Sequence, residues 1–307
     1  MEREHAIDGA IDAVREREKY HSKTVLEWHR HGLKDGDKLS LPGREKAAAE
    51  SAESRILVNR GVPTLAIGSD KLRTQETAGL LLHGDKLEPE FVTAYENVDG
   101  LVKKINADYG VKVGTKIAKD KRLGFNFAEG EYKTAAYAAD GRKEFLKWTV
   151  EESDSLAEKC GDRQSSSYRR IASSVSEFVL KYVQVEKNFD RLLKRKRDED
   201  VSLKQEIADT MQRIVVSHSG VIDVFLAKVI EDSKGINARD EFVKALGDSG
   251  FAPLEGFSME IITNTVGSEP IIKIDYDKKD DEGKIVFSFH ESMNSEFFKR
   301  IVEAERK

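Results

Sequence analysis

The sequence predicts an α/β protein: a three-layer α/β/α sandwich with a mostly parallel sheet, a helical insertion and a C-terminal antiparallel β extension. Three observations predict it. Short apolar, β-branched runs at 24–28, 64–67 and 214–216 each pass through a polar or glycine-bearing turn into a helical pattern, the alternation that builds parallel sheets. A middle stretch repeats apolar residues at helical spacing. After Gly250 the pattern changes to short alternating strands separated by turn-rich breaks.

Composition sets the bounds. At 307 residues, with 39% hydrophobic content, the chain can bury a sizeable core. We expect one elaborated domain over 1–307, with its core in 20–118 and 209–250, a helical insertion or lid in 119–208, and a β meander plus helix in 251–307. The net charge of −5 gives no reason to expect nucleic acid or an anionic membrane as partner. A single cysteine, Cys160, excludes an internal disulfide and fits a reducing compartment. The start, Met1-Glu2-Arg3-Glu4-His5, is charged, and no apolar run reaches the roughly 20 residues that span a bilayer. A soluble, cytoplasmic protein is expected.

Residues 7–19 read as a charged, weakly amphipathic helix. The first strand then ends in His29-Arg30-His31-Gly32. Glycine lets the chain turn sharply and a ligand approach the backbone, and ligands of open α/β sheets sit at strand carboxyl ends. Arg30 and His31 would therefore stand at the mouth of a site, a fixed cation beside a titratable nucleophile. A polar loop with Gly36 follows, then Leu39-Ser40-Leu41-Pro42-Gly43-Arg44, in which Ser40 suits a helix N-cap and Pro42 the first turn. An alanine-rich run continues that helix, and Gly61 and Pro63 end it.

The second strand leads into Gly68-Ser69-Asp70-Lys71-Leu72-Arg73-Thr74-Gln75-Glu76-Thr77-Ala78. Ser69 or Asp70 could cap the next helix, leaving Arg73 in a first turn whose free N–H groups suit an anion. An arginine there adds a planar fork that matches phosphate oxygens. The third strand ends Val216-Ser217-His218-Ser219-Gly220, and Ile222, Phe225, Leu226 and Val229 behind it form a helix face.

Taken together, His29-Arg30-His31-Gly32, Leu39-Ser40-Leu41-Pro42-Gly43-Arg44, the Ser69–Ala78 segment and Val216-Ser217-His218-Ser219-Gly220 resemble the histidine phosphatase (phosphoglycerate mutase-like) superfamily in letters, order and context. The resemblance covers roughly 24–110 and 210–230. It implies that His31 is the nucleophile of a phosphomonoester hydrolase and forms a phosphohistidine. Arg30, Arg73 and His218, with Ser219, would hold the phosphoryl oxygens. Phosphoryl transfer asks chiefly for positioning and charge stabilisation, and a covalent step divides it in two. Adjacent cations keep the nucleophilic imidazole neutral. Arginines and a second histidine supply the positive charge, so neither metal nor cofactor is expected. The substrate would be a phosphorylated small molecule or phosphoprotein; oligomer formation is left open.

A general acid is needed for the leaving oxygen. The resemblance points to Glu96, followed by Gly100, with Glu129 and Glu255 as rivals. The loop after Gly32 lacks the asparagine that mutases usually carry there, which favours hydrolysis over mutase-like phosphotransfer and keeps a catalytically silent phosphate-binding or scaffold relative in view. Spacing alone also admits a metal hydrolase on His29, His31, His218 and His290, but that leaves both arginines unexplained.

In the middle stretch, Tyr168, Ile171, Ala172, Val175, Phe178, Val179 and Tyr182 predict a long amphipathic helix, with another around Phe145, Leu146, Trp148 and Val150. Part of this insertion would form a lid that sets specificity. The run Lys194-Arg195-Lys196-Arg197, answered by Asp198-Glu199-Asp200, reads as a solvated helix end. Strands at 257–265, 270–276 and 284–289 would extend a sheet edge, and a helix at 295–303 would cover it.

Overall fold

The structure is a computed structural model that describes residues 21–59, 62–84, 117–199, 209–247 and 250–306. The helix expected at 7–19 and the proposed acid Glu96 lie outside the described residues.

The first strand, β1 (Ser22–Arg30), is followed by a two-stranded ribbon, β2 (Lys34–Asp35) and β3 (Lys38–Leu39). Helix α1 (Leu41–Asn59), strand β4 (Thr64–Gly68) and helix α2 (Leu72–His83) come next. After β5 (Ile117–Lys119) and a 3-10 turn (Lys121–Leu123), the insertion contributes α3 (Glu131–Gly141), α4 (Phe145–Glu151), α5 (Ser153–Cys160) and the long α6 (Tyr168–Glu199). The chain returns through β6 (Thr210–Ser217), α7 (Ser219–Lys234) and α8 (Ile236–Leu246). It finishes with β7 (Gly256–Thr263), β8 (Ile271–Lys279), β9 (Ile285–Met293) and α9 (Ser295–Arg306).

Seven strands form one sheet in the order β5-β4-β6-β1-β7-β8-β9. β5, β4, β6 and β1 run parallel, and β7, β8 and β9 continue the sheet antiparallel from β1. The mixed α/β class and the antiparallel extension match the sequence reading. The period-two alternation of strand side chains sorts the core into two layers. Leu26, Trp28, Ile67 and Val215 face α6 and α7, while Ala66, Ile214 and Val216 face Leu80 and Leu81 of α2. Trp28 is the keystone of the first layer. Its ring lies 5.5 Å from Phe257, 5.9 Å from Phe225 and 5.4 Å from Phe178, joining β1 to β7, α7 and α6.

The stripe predicted on the long helix is buried as expected, with Ile171, Val175, Phe178 and Tyr182 all in the core. The closing helix α9 packs on α6, with Phe298 6.3 Å from Phe225 of α7, so it lies on the helical layer. No helix among the described residues is long and apolar enough to cross a membrane.

Parallel pairing aligns the carboxyl ends of the strands. Arg30 stands opposite Ser217, and Gly68 opposite Val216, so the residues that follow all three strands emerge at one edge. The loop after β1 is more ordered than a polar loop needs to be. Gly36 turns the β2–β3 ribbon at φ +60°, a backbone state that glycine takes without strain. As expected, Ser40 caps α1, its Oγ accepting from Gly43 N at 3.2 Å. Gly43 sits so close to the Leu33 backbone that any Cβ would collide with the Leu33 carbonyl. Ser69 and Asp70 do not hold the cap position of α2: Lys71 does, its own side chain makes no capping bond, and its backbone N–H donates to Ser69 Oγ at 3.1 Å. Ser69 is used for a different purpose.

Candidate active site

At that common edge, His31, Arg73 and His218 meet side by side. They are 6%, 7% and 2% exposed, although all three are polar. The His31 Nδ1–H donates to the Gly32 carbonyl at 2.7 Å, which leaves Nε2 as the free lone pair. Arg73 Nε donates to that Nε2 at 3.2 Å, and Arg73 Nη2 donates to His218 Nδ1 at 3.4 Å. His218 Nε2–H in turn donates to Ser69 Oγ at 3.0 Å. One guanidinium thus bridges two imidazoles whose ring centroids are 5.2 Å apart. Both rings are neutral in this network, because each carries one acceptor nitrogen.

The electrostatics agree with the hydrogen bonds. Burial, then the Arg73 and Arg30 charges, push the His31 pKa down to about 4 against the opposing pull of the Gly32 carbonyl. Burial, with His31 and Arg73 adding to it, holds His218 well below the usual imidazole range. Burial also lowers the pKa of Arg73, partly offset by Asp37, whose carboxylate accepts from Arg73 Nη1 at 3.3 Å. Arg30 is half-buried and donates through Nη1 to the Phe251 carbonyl. Burial lowers its pKa too, and Asp223 beneath it opposes that. Asp223 is fully buried, and its carboxyl is pushed up to about 8 by burial against the pull of Arg30.

The letters of the second motif are explained by what α2 staples together. Gln75 Nε2 donates to the Ser69 carbonyl at 3.0 Å, and Thr74 Oγ1 lies 3.0 Å from Ser69 Oγ. Glu76 Oε2 accepts from Leu39 N at 2.7 Å, and Thr77 Oγ1 accepts from Gly32 N at 3.1 Å. Buried polar groups persist when they are partnered. Here the partners are the backbones of the loops carrying His31 and Arg73, so the helix fixes both residues in one frame.

These residues line a hollow of about 800 Å³ whose wall includes Arg30, His31, Arg73, His218, Ser219 and Gly220. His218 occupies the N-cap position of α7, so Ser219 and Gly220 bring that helix's positive end to the hollow. Every phosphate-site residue expected from the sequence is therefore brought together.

The expected acids fare differently. Glu96 lies outside the described residues. Glu129 is ion-paired with Lys133 at the surface and lines a separate depression. Glu255 is held by Lys278 at 2.8 Å and by the Tyr276 hydroxyl at 3.1 Å, and it does not line the hollow. The carboxylates that do line it are Asp37 and Asp140, neither of which the sequence singled out. Both sit in polar segments without strand-end context, so no local pattern marks them.

His29 turns to the opposite face of β1, its Nδ1 3.1 Å from the Leu254 carbonyl, and does not line the hollow. His290 is on β9, bound to Asp275 and Asp277 at 2.9 Å. The spacing-based histidine set therefore does not converge.

No family model matches the sequence, and no curated protein matches it. Among solved structures, the chain is similar to a mycobacterial glucosyl-3-phosphoglycerate phosphatase, at 16% identity and a TM-score of 0.42, covering 78% of this chain and 90% of that one. It is similar to a mycobacterial hydrolase at 16% identity and a TM-score of 0.40, covering 80% of this chain and 99% of that one. A phosphoglycerate mutase from Plasmodium falciparum aligns at 11% identity and a TM-score of 0.32, covering 89% and 92% of the two chains. With TM-scores this low, the likenesses decide nothing about this chain's chemistry.

Proposed function

We propose that this protein is a metal-independent phosphomonoester hydrolase that works through a phosphohistidine on His31. The observation that carries this reading is one buried guanidinium bridging two neutral imidazoles at the meeting point of three strand ends. Burying two imidazoles and an arginine together costs stability unless an anion is to be held there.

The residues divide the work. His31 Nε2 attacks phosphorus in line; the N–P bond forms as the ester P–O bond breaks, and the leaving oxygen takes a proton from a carboxylic acid. Water then attacks the phosphohistidine, giving its proton back to the carboxylate; the N–P bond breaks, inorganic phosphate is released and the lone pair returns to Nε2. The Gly32 carbonyl holds the ring in the reactive tautomer throughout. Arg73, Arg30 and the N-terminus of α7 are aimed at the equatorial oxygens, where charge redistributes. An incoming phosphoryl group takes over the Arg73 Nε–H from His31, which frees the nucleophile as the substrate docks. Among the described residues, Asp37 and Asp140 are the carboxylates that line the hollow; Asp37 is engaged by Arg73, which leaves Asp140 as the candidate proton donor beside Glu96, the candidate from the sequence.

The test is hydrolysis of p-nitrophenyl phosphate by the native protein and by His31→Ala and His218→Ala. We expect His31→Ala to lose at least about a thousand-fold in kcat/KM and His218→Ala at least about a hundred-fold. A chelator should leave the native rate unchanged. Undiminished turnover in His31→Ala would end the phosphohistidine assignment, and a chelator-sensitive rate would end the metal-free one.

A further inference from the structure

One wall of the hollow, beginning beside His218, is aromatic. Phe125 stands edge-on to His218, with ring centroids 5.0 Å apart at 72°. Phe127 follows at 5.3 Å from Phe125, and Tyr137 at 6.2 Å from Phe127, crossed at 81°. Phe145 closes the inner side, 6.4 Å from Phe125 and 6.1 Å from Phe127. All four line the same hollow as His31. The rings form a continuous track from the second histidine to the rim.

Two features separate this track from ordinary core packing. First, it is braced from behind: Phe127 packs on Tyr132 at 6.0 Å and Phe145 on Trp148 at 6.0 Å, which leaves the other faces to the hollow. Gly220 helps here, since any Cβ on it would collide with the Phe145 ring. Second, Tyr137 at the rim is 59% exposed, on a helix whose other aromatic, Tyr132, is fully buried. Lys133 lies over the Tyr137 ring at 5.7 Å, holding it upright, while its charge is met by Glu129. An exposed, braced ring beside a catalytic hollow is a stacking surface for a ligand.

Resting on the hydrolase reading above, we infer that the preferred substrate is a small phosphomonoester whose alcohol carries an aromatic ring next to the ester oxygen. The ring stacks along Phe125, Phe127 and Tyr137 while the phosphoryl group sits on Arg73 and His31. Asn126, Lys133 and Asp140 also line the hollow, so hydrogen-bonding groups stand beside the track, but a polyol or sugar would leave its four rings unused.

The experiment compares benzyl phosphate, cyclohexylmethyl phosphate and glycerol 3-phosphate on the full chain. All three release aliphatic alcohols, so the strength of the ester bond does not decide the order. We expect kcat/KM for benzyl phosphate to exceed that for glycerol 3-phosphate by about ten-fold or more, with the saturated ring in between. Tyr137→Ala and Phe127→Leu should each shrink the benzyl-to-glycerol ratio by about three- to ten-fold. A ratio near one, an equal preference for the saturated ring, or a ratio unmoved by both variants overturns the inference.

Calorimetric binding of benzylphosphonate against 2-hydroxyethylphosphonate separates the two readings. Tighter benzyl binding without turnover of any ester would sink the hydrolase and keep the aromatic preference. Equal binding alongside normal turnover would do the reverse.

Discussion

At the scale of single residues, the site is defined by imidazoles that refuse protons. His31, its pKa pushed down to about 4, stays neutral far into the acid range. The acid limb of kcat/KM against pH should therefore fall near 4 and not near the ordinary histidine value of about 6.5. A pH–rate profile with p-nitrophenyl phosphate checks this. The same depression enters stability with a definite sign: the unfolded His31 imidazole binds a proton below about 6.5 that the native one excludes until about 4. This contribution is whole above 6.5 and declines as the pH drops through that window. Glu27 tilts the other way. Burial pushes its carboxyl up to about 7, with Gln212 donating to Oε1 at 2.7 Å and opposing the shift. Its native preference for the protonated form is therefore lost as pH rises from 4.5 through 7. Glu27→Gln keeps an acceptor for Gln212 and should raise stability by about 1–2 kcal/mol at pH 8, with little change at pH 4.5. Urea melts at the two pH values decide it.

At the scale of elements, the first turn of α1 and the loop after β1 behave as one part. The Ser40 hydroxyl accepts from Gly43 N and donates to the Leu33 carbonyl at 3.2 Å, and Gly43 leaves no room for a methyl group against Leu33. A side chain at 43 must displace the loop that begins at His31. We expect Gly43→Ala to lower kcat/KM by about ten- to a hundred-fold, since misplacing a reacting group by an ångström costs on that order. Ser40→Ala should cost about 1 kcal/mol of stability through the lost cap. Steady-state kinetics and thermal unfolding on the two variants distinguish the effects. The element scale also shows where sequence reading succeeds and fails. His31, Arg73 and His218 were legible because His31 and His218 directly follow apolar strands and Arg73 stands in the first turn of the helix after a third, and strand ends gather at one edge of a parallel sheet. Phe125, Phe127, Tyr137 and Asp140 were not: they come from the loop and helix after the 3-10 turn, whose approach to the hollow is set by packing on Trp148, Tyr132 and Gly220. The caps proposed for α2 failed because Ser69 is claimed by His218 and Thr74, a tertiary demand that no local pattern reveals.

At the scale of the whole molecule, the strand that leads to His31 is built into the larger core layer through Leu26 and Trp28. Trp28 is 1% exposed and touches rings from three other elements, so Trp28→Ala should cost about 3–5 kcal/mol in urea unfolding. The overall α/β class was readable because periodicity switches cleanly between strand and helix. Pairing partners were not readable, because register depends on residues far along the chain. β1 shows this best: it is flanked by β6, with Trp28 opposite Val215, and by β7, with Trp28 opposite Phe257. Both neighbours belong to the last third of the polypeptide. During synthesis the strand bearing His31 must therefore wait, unpaired, until the segments around 215 and 257 have left the ribosome. Contacts this distant make refolding slow, on the order of milliseconds to seconds or longer. Until those segments emerge, His31, Arg73 and His218 have no common edge on which to meet.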